Sequence, residues 1–245
     1  LTLPATTAPE SLAGQEGFVV DTTAPGAFSV TGPTSTIATA TPTVNWSAAA
    51  DDNSVSYDLV IDTTTGCASP VQDPSGETGT SQALTLLNDG TYFACITATD
   101  AAGNTTTATE ASFTVDTTAP SFSGIDLANE ALANADINKA EHTATNDLVA
   151  NLSASGQTTS EYLVISDATT CDDGAGTFSA TVPKSNDDNF GASGTYRVCV
   201  KLVDSVGNDS YGESPVITFD ETDPAVASSI SITDSSPHGS TTLNM

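Results

Sequence analysis

Apolar side chains recur at every second position in several short stretches of the chain. The clearest stretch alternates between an apolar face and a mixed face: Tyr92, Ala94, Ile96 and Ala98 against Phe93, Cys95, Thr97 and Thr99. A period of two predicts strands that are buried on one side. In the first part of the chain we predict strands near residues 27–31, 42–48, 55–62, 82–87, 91–99 and 107–115, with a shorter one near 68–72. About seven short strands in about 100 residues indicate a two-sheet β-sandwich, with Trp46 in its core.

The strand pattern is part of a longer repeat. The string FVVDTTAP at residues 18–25 returns as FTVDTTAP at residues 113–120 and, with changes, as ITFDETDP at residues 217–224. Between these strings, YDLVI is matched by EYLVI, GTYFAC by GTYRVC, and DAAGN by DSVGN. A fixed period of this kind predicts a tandem array of one small module. The predicted boundaries are the end of a preceding repeat at 1–20, complete domains at 21–115 and 116–219, and the start of a third repeat at 220–245.

The second unit differs from the first by an insertion near residues 129–145. Helical periodicity is nearly absent elsewhere, and this insertion is predicted to hold either a short helix or a long loop. The chain contains no apolar run of the roughly 20 residues that a membrane-spanning helix needs. We therefore expect no membrane insertion by this segment.

Charge is strongly unbalanced. The chain has 31 acidic and 4 basic side chains, which gives a formal net charge of −27. All four basic residues, Lys139, Lys184, Arg197 and Lys201, belong to the second repeat. A surface this negative repels nucleic acid, so nucleic-acid binding is not expected. The acidic surface either keeps the protein soluble or binds cations.

The four cysteines form two pairs with the same separation, one pair in each repeat. Four cysteines allow three pairings, and the repeat favours the bonds within each unit, Cys67–Cys95 and Cys171–Cys199. Neither pair has the close spacing of a zinc or redox site. Structural disulfides are the favoured interpretation over free thiols, and they imply an oxidising compartment.

The joint VDTTAP, the strand DGTYFACITATD and the turn DAAGNT resemble the bacterial immunoglobulin-like (Big-type) repeats of large surface and adhesin proteins. The resemblance implies an all-β chain of tandem immunoglobulin-like β-sandwich domains, each with about seven strands. It also implies an extracellular or cell-surface location, with calcium at domain junctions in many members. Antibody domains place Tyr two residues before the second Cys, whereas Tyr92 and Tyr196 precede Cys95 and Cys199 by three. Tyr and Cys then face opposite ways, which predicts a bridge on the outer face of the sheet, not between the sheets.

Acidic residues are predicted to converge at one end of each sandwich. In an immunoglobulin-like domain, the amino-terminal segment, the loop between the second and third strands, and the last hairpin share one end. Calcium needs six to eight oxygen ligands, mostly carboxylates and carbonyls. The predicted calcium ligands are Asp21, Asp51, Asp52, Asp100 and Asn104 in the first unit, and Asp116, Asp204 and Asn208 in the second, with Glu161 nearby.

A simpler interpretation of part of this pattern is a tight turn. In Asp-x-x-Gly-Asn, the Asp and Asn side chains can bind backbone amides without any metal. The second unit has no counterpart of Asp51 and Asp52, so its site is expected to be poorer.

No catalytic site is predicted. The two histidines, His142 and His238, do not recur between repeats and lie in no nucleophile motif. The expected function is a non-enzymatic stalk segment, in which short proline-containing joints stiffen the array. Its expected partners are neighbouring repeats or subunits and a cell-surface ligand. Two alternatives remain: a subunit of an extracellular filament that assembles by strand addition through residues 1–20 and 220–245, and an accessory carbohydrate-binding module of a secreted enzyme.

Overall fold

The chain consists almost entirely of β-strands and divides into two compact units between Thr117 and Thr118. The structure, a computed structural model, describes residues 20–128, 136–142 and 144–223. Nearly all of the predicted preceding repeat and most of the predicted third repeat therefore lie outside the described residues. So do residues 129–135 and 143 of the insertion.

Unit 1 forms two sheets, one antiparallel and the other antiparallel except for its edge strand Thr36–Ile37. Its strands are β1 (Val30–Gly32), β2 (Thr36–Ile37), β3 (Thr43–Trp46), β4 (Val55–Asp62), β5 (Ser81–Ala83), β6 (Gly90–Asp100), β7 (Thr105–Thr107) and β8 (Ala111–Val115). One sheet has the order β1-β3-β5, and the other has the order β2-β8-β6-β4, with β7 also paired to β6. The predicted two-sheet sandwich is confirmed.

Several predicted strands of unit 1 differ from those in the structure, and near 68–72 there is only an isolated bridge between Gln72 and Ile61. The strand expected at 82–87 ends at Ala83, because the N–H groups of Leu84 and Leu87 donate to the carbonyl oxygens of Pro42 and Ala40 instead of continuing a ladder with β3. The strand expected at 107–115 is divided into β7 and β8. The short strand β2, which pairs in parallel with β8, was not predicted.

The core of unit 1 lies between its two sheets. The residues of β6 predicted to face inward, Tyr92, Ala94, Ile96 and Ala98, are all buried, whereas the alternate residues are half-buried. Trp46 is buried as predicted, with its ring centroid 5.5 Å from that of Tyr57. Period-two alternation thus identified both the strand and its inner face.

Unit 2 repeats this plan with a thinner second layer. Its elements are β9 (Ser121–Leu127), β10 (Asp136–Asn138), α1 (Lys139–His142), β11 (Val149–Ser155), β12 (Thr159–Ser166), β13 (Gly194–Val203), β14 (Asp209–Glu213) and β15 (Ile217–Asp220). One sheet has only β9 and β11, and the other has the order β10-β15-β13-β12, with β14 also paired to β13. Within the predicted insertion, the described residues form β10 and the four-residue helix α1.

Strand β12 of unit 2 is displaced by one residue relative to its sequence match in unit 1, strand β4. By sequence, Leu59 of β4 corresponds to Leu163 of β12. In the sheets, however, Leu59 pairs with Ile96 of β6, whereas Val200, the residue equivalent to Ile96, pairs with Tyr162. A shift of one residue moves every side chain to the other face. The matching of YDLVI with EYLVI is therefore wrong by one residue in the structure.

This displacement creates a second apolar cluster in unit 2. Tyr162 and Val164 point into the main core, which also contains Val198, Val200 and Phe219. Leu163 and Ile165 point outward instead and pack with Cys199, with Phe178 and Tyr211 partly buried against them. Unit 2 consequently buries apolar side chains on both faces of β12.

Both predicted disulfides are present. Cys67–Cys95 and Cys171–Cys199 have Cα–Cα distances of 6.3 and 5.6 Å. Each disulfide joins the loop after β4 or β12 to the outer face of β6 or β13, as predicted. Cys199 is nevertheless fully buried, because the loop that carries Cys171 folds over it.

Candidate metal centre

Three carboxylates meet at one end of unit 1. Asp21 precedes β1, Asp51 lies in the loop between β3 and β4, and Asp100 is the last residue of β6. One oxygen of each carboxylate lies within 4.8 Å of the others. Asp100 is buried, and the other two are half-buried. Residues that are far apart in sequence are brought together because these three segments end at the same edge of the sandwich.

Asp100 organises the turn between β6 and β7. Its Oδ1 accepts hydrogen bonds of 2.8 Å from the N–H groups of Ala102 and Asn104, and its Oδ2 accepts one of 2.8 Å from the Asn104 side chain. The Asn104 side chain lowers the pKa of the Asp100 carboxyl below its ordinary value; burial opposes this, and the backbone N–H groups reinforce it. Asp100 is therefore held as a carboxylate, and the turn interpretation applies to it whether or not a metal binds.

Asp21 and Asp51 cap short turns of their own. Oδ1 of Asp21 accepts the Thr23 N–H at 3.0 Å, and Oδ1 of Asp51 accepts the Asn53 N–H at 2.8 Å. The Asn53 side chain also donates to Oδ2 of Asp21. Among the described residues, Oδ2 of Asp51 accepts no hydrogen bond, so it is the oxygen most available to a ligand.

The other two residues predicted for this site have different positions. The Asn104 amide donates to the carbonyl oxygens of Asp21 and Thr23 at 3.3 Å, so this side chain ties the joint to the β6–β7 turn. Asp52 is exposed and lines an open cleft of about 600 Å³ beside the cluster, together with residues of the joint and of the β3–β4 loop. Asp52 is near the three carboxylates without belonging to their group.

The cluster has no positive side chain to balance it. Residues 21–115 contain no Lys or Arg, since all four basic residues lie between positions 139 and 201. Like charges held this close repel one another. No side chain within residues 21–115 can neutralise these carboxylates by charge, whereas a cation from the solvent can.

The described part of unit 2 has no equivalent group. Asp204 repeats the turn of Asp100: its Oδ1 accepts N–H bonds from Val206, Gly207 and Asn208, and the Asn208 side chain donates to its Oδ2 at 2.8 Å. Burial raises the pKa of the Asp204 carboxyl, but these hydrogen bonds outweigh it and the net pKa is lowered. Within the described part of unit 2, no three acidic, histidine or cysteine side chains bring their ligand atoms as close as in unit 1.

Asp116 belongs to unit 1, at the end of β8, where its N–H donates to the Ile37 carbonyl oxygen at 3.0 Å. A further group, Cys67, Cys95 and Glu110, also brings its potential ligand atoms together. Its sulfur atoms are joined in a disulfide, however, and the Glu110 carboxylate accepts the Gly66 N–H at 2.6 Å. That group orders the disulfide loop and has no free thiolate for a metal.

Two hydroxyl groups that fix the joints were not predicted. Thr106 donates to the Pro25 carbonyl oxygen, and Ser210 donates to the Pro120 carbonyl oxygen at 2.7 Å. Both residues lie two positions after the Asn of the DxxGN turn. The only sequence signal for these two contacts is a hydroxyl residue at the same position of both repeats. That signal is weak because Thr and Ser are abundant throughout the chain.

The described aromatic side chains are all buried or half-buried. A carbohydrate-binding surface of exposed aromatic rings is therefore absent from the described residues. The filament alternative depends on 1–20 and 220–245, most of which lie outside them. None of the described residues forms an apolar helix long enough to cross a membrane.

Comparison with known proteins finds a family likeness for the first unit. A family model described as a bacterial Ig-like domain matches residues 24–117, which confirms the resemblance for that stretch. No curated protein matches the chain significantly.

Solved structures show a likeness of fold. The fibronectin(III)-like modules of Clostridium thermocellum CbhA align with 79% of this chain and 94% of theirs, at 11% identity and a TM-score of 0.41. A Ca²⁺-stabilized adhesin of an Antarctic bacterium aligns at 16% identity and a TM-score of 0.42; the alignment covers 80% of this chain and 49% of the adhesin. A 1.5-MDa bacterial ice-binding adhesin aligns at 15% identity and a TM-score of 0.37, over 82% of this chain and 66% of that one. At these values the likeness concerns the fold class alone.

Proposed function

We propose that this chain is a non-enzymatic, extracellular structural or adhesive segment whose first unit binds a calcium ion through Asp21, Asp51 and Asp100. The observation that carries the proposal is the convergence of three carboxylates in a unit that has no Lys or Arg. The site lies where the chain enters unit 1, so an ion there would act on the joint itself.

Calcium suits this donor set better than transition metals do. The available ligands are carboxylate and carbonyl oxygens, without thiolate or imidazole. Asp51 offers a free oxygen, and the backbone carbonyls of the joint lie beside Asn104. Water molecules would complete the six to eight ligands that calcium takes.

The proposed role of the ion is mechanical. Asp21 belongs to the joint, Asp51 to the β3–β4 loop and Asp100 to the β6–β7 turn. An ion held by all three would fix the joint against two loops of the sandwich. A joint of a few residues that includes Pro25 is already too short to act as a flexible tether. The proposed result is a stiffened stalk that presents a distal part of a larger assembly to a surface ligand.

The extracellular location is supported by two features. Both units carry a disulfide, and disulfides persist in oxidising compartments. The first unit matches a model of a bacterial Ig-like domain, and the repeat motifs resemble those of large bacterial surface proteins.

The test is the thermal unfolding of unit 1 with calcium and with a chelator. Trp46 is the only tryptophan and is buried in unit 1, so its fluorescence reports that unit alone. Extracellular calcium sites have Kd values of about 10⁻⁴–10⁻³ M. At a calcium concentration tenfold above Kd, binding would stabilise the unit by about 1.4 kcal/mol. A domain of this size would then melt roughly 6–11 °C higher.

Asp51→Asn is the informative variant, because asparagine keeps the Oδ1 that caps Asn53 and removes only the charge. It should abolish most of the calcium-dependent rise and change the melting temperature in chelator little. Asp73→Asn removes one exposed carboxylate of the same unit away from the cluster, and should keep the full rise. Equal melting temperatures of the unaltered protein in calcium and in chelator would refute the calcium site.

A further inference from the structure

One edge of unit 2 has backbone groups that find no partner among the described residues. Val164 of β12 lies opposite Val198 of β13. The N–H of Val198 donates to Oγ of Ser214 at 2.9 Å, and its carbonyl oxygen accepts the Ser214 N–H at 2.9 Å. Val198 therefore directs both groups away from β12. By the alternation of antiparallel ladders, Val164 directs its N–H and C=O away from β13, toward the open edge.

On that open side, among the described residues, the Ser166 carbonyl oxygen accepts the Thr169 N–H at 2.9 Å, and Tyr162 is paired through both backbone groups. It exchanges both backbone bonds with Ser179, at 2.7 and 2.9 Å. Within the described residues, the N–H and C=O of Val164 have no hydrogen-bond partner. Buried backbone groups are paired in the great majority of cases, and Val164 is only 3% exposed. An unpaired donor and acceptor on a buried strand residue mark a place where a ligand backbone can bind.

Unit 1 shows the same edge closed. Ile61, which matches Val164 in the sheet register, donates its N–H to the Gln72 carbonyl oxygen at 2.9 Å and accepts the Val71 N–H at 2.8 Å. Leu59 donates to the Pro74 carbonyl oxygen at 2.9 Å. The chain itself supplies this third strand-like segment in unit 1. In unit 2 the corresponding loop leaves the edge to cover Leu163 and Cys199.

The uncovered edge faces a groove of about 510 Å³. Its walls come from the disulfide loop on one side and the segment before β13 on the other: Thr169, Ala175, Gly176, Asn189, Gly191 and Tyr196. None of these side chains carries a charge. The two glycines and Ala175 leave room for another main chain between the walls.

We propose that this groove binds an extended peptide segment of a different protein by strand addition, with small uncharged side chains in the groove and basic residues beside it. Strand addition takes its affinity from main-chain hydrogen bonds and its specificity from alternate side chains. The Val164 N–H and C=O would bond to the incoming strand as Ile61 bonds to residues 71 and 72 in unit 1. This inference is independent of the calcium site in unit 1.

Charge determines the kind of partner. Asp187 and Asp188 line the adjoining cleft, and neither forms an ion pair with a described residue. The four basic residues of this chain are all in ion pairs already: Lys139–Asp223, Lys184–Asp147, Arg197–Asp167 and Lys201–Asp173. A second copy of this strongly acidic chain therefore has no free basic residue to offer. The complementary partner is a basic segment of another protein.

Amide hydrogen exchange of the full chain, measured by NMR, tests the proposal at the atom concerned. The probe is the peptide KKTVTVTKK, and the matched peptide EETVTVTEE has the same strand residues with opposite charge. Before addition, the Val164 amide should exchange faster than the paired Leu59 amide. Saturating KKTVTVTKK should slow Val164 exchange by about tenfold, since one net hydrogen bond is worth about that factor, and leave Leu59 unchanged. EETVTVTEE should have a smaller effect at the same concentration.

A blocking variant checks the location. A Cβ atom added at Gly191 would have only the Tyr196 hydroxyl within 4 Å, at 3.9 Å, so the larger side chain of Gly191→Trp can start into the groove, and this variant should fold and fill it. It should abolish the peptide effect. Gly79→Trp adds the same side chain at an open position in unit 1 and should keep it. The proposal is wrong if Val164 is already as protected as Leu59, if the basic peptide leaves its exchange unchanged, if both peptides act equally, or if Gly191→Trp binds normally.

Discussion

The two units share their strand motifs and disulfide spacing. They differ in which residues of β4 in unit 1 and of β12 in unit 2 face the main core. In unit 1, β4 directs Tyr57, Leu59 and Ile61 into one core and leaves a polar outer face. In unit 2, β12 is displaced by one residue, so that Leu163 and Ile165 face outward. Because the side-chain period of a strand is two, one residue of displacement exchanges the two faces. Similar strings of apolar letters can therefore have opposite orientations.

The outer faces of the units follow from this difference. On β6 of unit 1, Thr97 pairs with Thr107 across the strands, with their hydroxyl oxygens 3.2 Å apart. The equivalent of Thr97 in unit 2 is Lys201, which forms an ion pair of 2.7 Å with Asp173 and lies over the ring of Tyr211. Unit 2 covers its outward apolar cluster with the disulfide loop and this polar network. Unit 1 has no such cluster to cover.

The largest expected effect separates Leu59 from its sequence match, Leu163. Leu59 is fully buried in the main core, so Leu59→Ala should destabilise unit 1 by about 4 kcal/mol. Leu163 is 8% exposed in the smaller outer cluster, where Leu163→Ala should cost about 2 kcal/mol. Urea unfolding followed by Trp46 fluorescence measures the first change, and hydrogen exchange of the Val200 amide measures the second. Equal losses would mean that both leucines lie in equivalent cores and that the displacement of β12 is wrong.

The second prediction concerns the two disulfides. Each closes a loop of similar length, and removing either should cost about 3–4 kcal/mol in the chain-entropy model. They should differ in accessibility, because Cys67 and Cys95 are both half-buried whereas Cys199 is fully buried under its loop. A reducing agent under native conditions should therefore open Cys67–Cys95 first. Timed alkylation with peptide mapping gives the order, and Leu163→Ala should bring the two rates closer by loosening the cover of Cys199. Earlier reduction of Cys171–Cys199 would contradict the difference in cover.

Much of the fold was accessible from the sequence because its signals are local. Alternation on β6 identified the inner face, and the repeat identified the cysteine pairing. The displacement of β12 was not accessible, since Leu163, Val164 and Ile165 are all apolar and fit either face. Only the pairing with β13 and the loop over Cys199 decide between the two registers.

The candidate metal centre was partly accessible for the same reason. The turn containing Asp100 has a local signature, and the position of Asp21 follows from the repeated joint. The role of Asn104 as a donor to the joint depends on contacts between residues more than 80 positions apart in the chain. The sequence alone could not show that Asp51 belongs to the carboxylate cluster whereas the neighbouring Asp52 is exposed beside it.

Acid should destabilise unit 1 by protonating Asp62, whose carboxylate accepts hydrogen bonds from Thr64 and Ser69 of the disulfide loop. This carboxylate is buried at the end of β4, and its pKa is lowered by the N–H of Ser69, opposed by burial and reinforced by the Thr64 N–H and hydroxyl. A carboxyl with a lowered pKa in the folded state stabilises above its ordinary pKa of about 3.9 and loses that contribution as pH falls toward the folded value. The corresponding loop of unit 2 has Ser166 at this position in the sequence and lacks the effect.

The measurement is the urea midpoint of Trp46 fluorescence at pH 7 and at pH 3. Asp62→Asn should destabilise unit 1 at pH 7 and make its midpoint fall less between the two pH values. Ser166→Ala in unit 2 serves as the control and should leave the midpoint of unit 1 unchanged at both. An equally steep acid dependence in Asp62→Asn would exclude Asp62 as the titrating group.

The smallest expected effect lies in the polar network of unit 2. Burial raises the pKa of Tyr211 to about 12, and its hydrogen bond to Asp173 contributes in the same direction while Lys201 opposes it. A raised pKa favours the neutral phenol in the folded state, so the contribution of Tyr211 to stability is complete below its ordinary pKa of about 10 and is lost as pH rises toward 12. Burial also raises the pKa of Tyr162, so ultraviolet titration of the tyrosines should show more than one late phenol, and Tyr211→Phe should remove the late step near pH 12. Asp173→Asn should leave Tyr211 buried but without its charged acceptor, and should shift the step to lower pH. Thr107→Ala, at the edge of the equivalent face in unit 1, should change nothing in the titration. If the late step near pH 12 persists in Tyr211→Phe, another phenol gives rise to it, and the proposed contrast between a threonine-lined face in unit 1 and a half-buried phenol in unit 2 does not hold in solution.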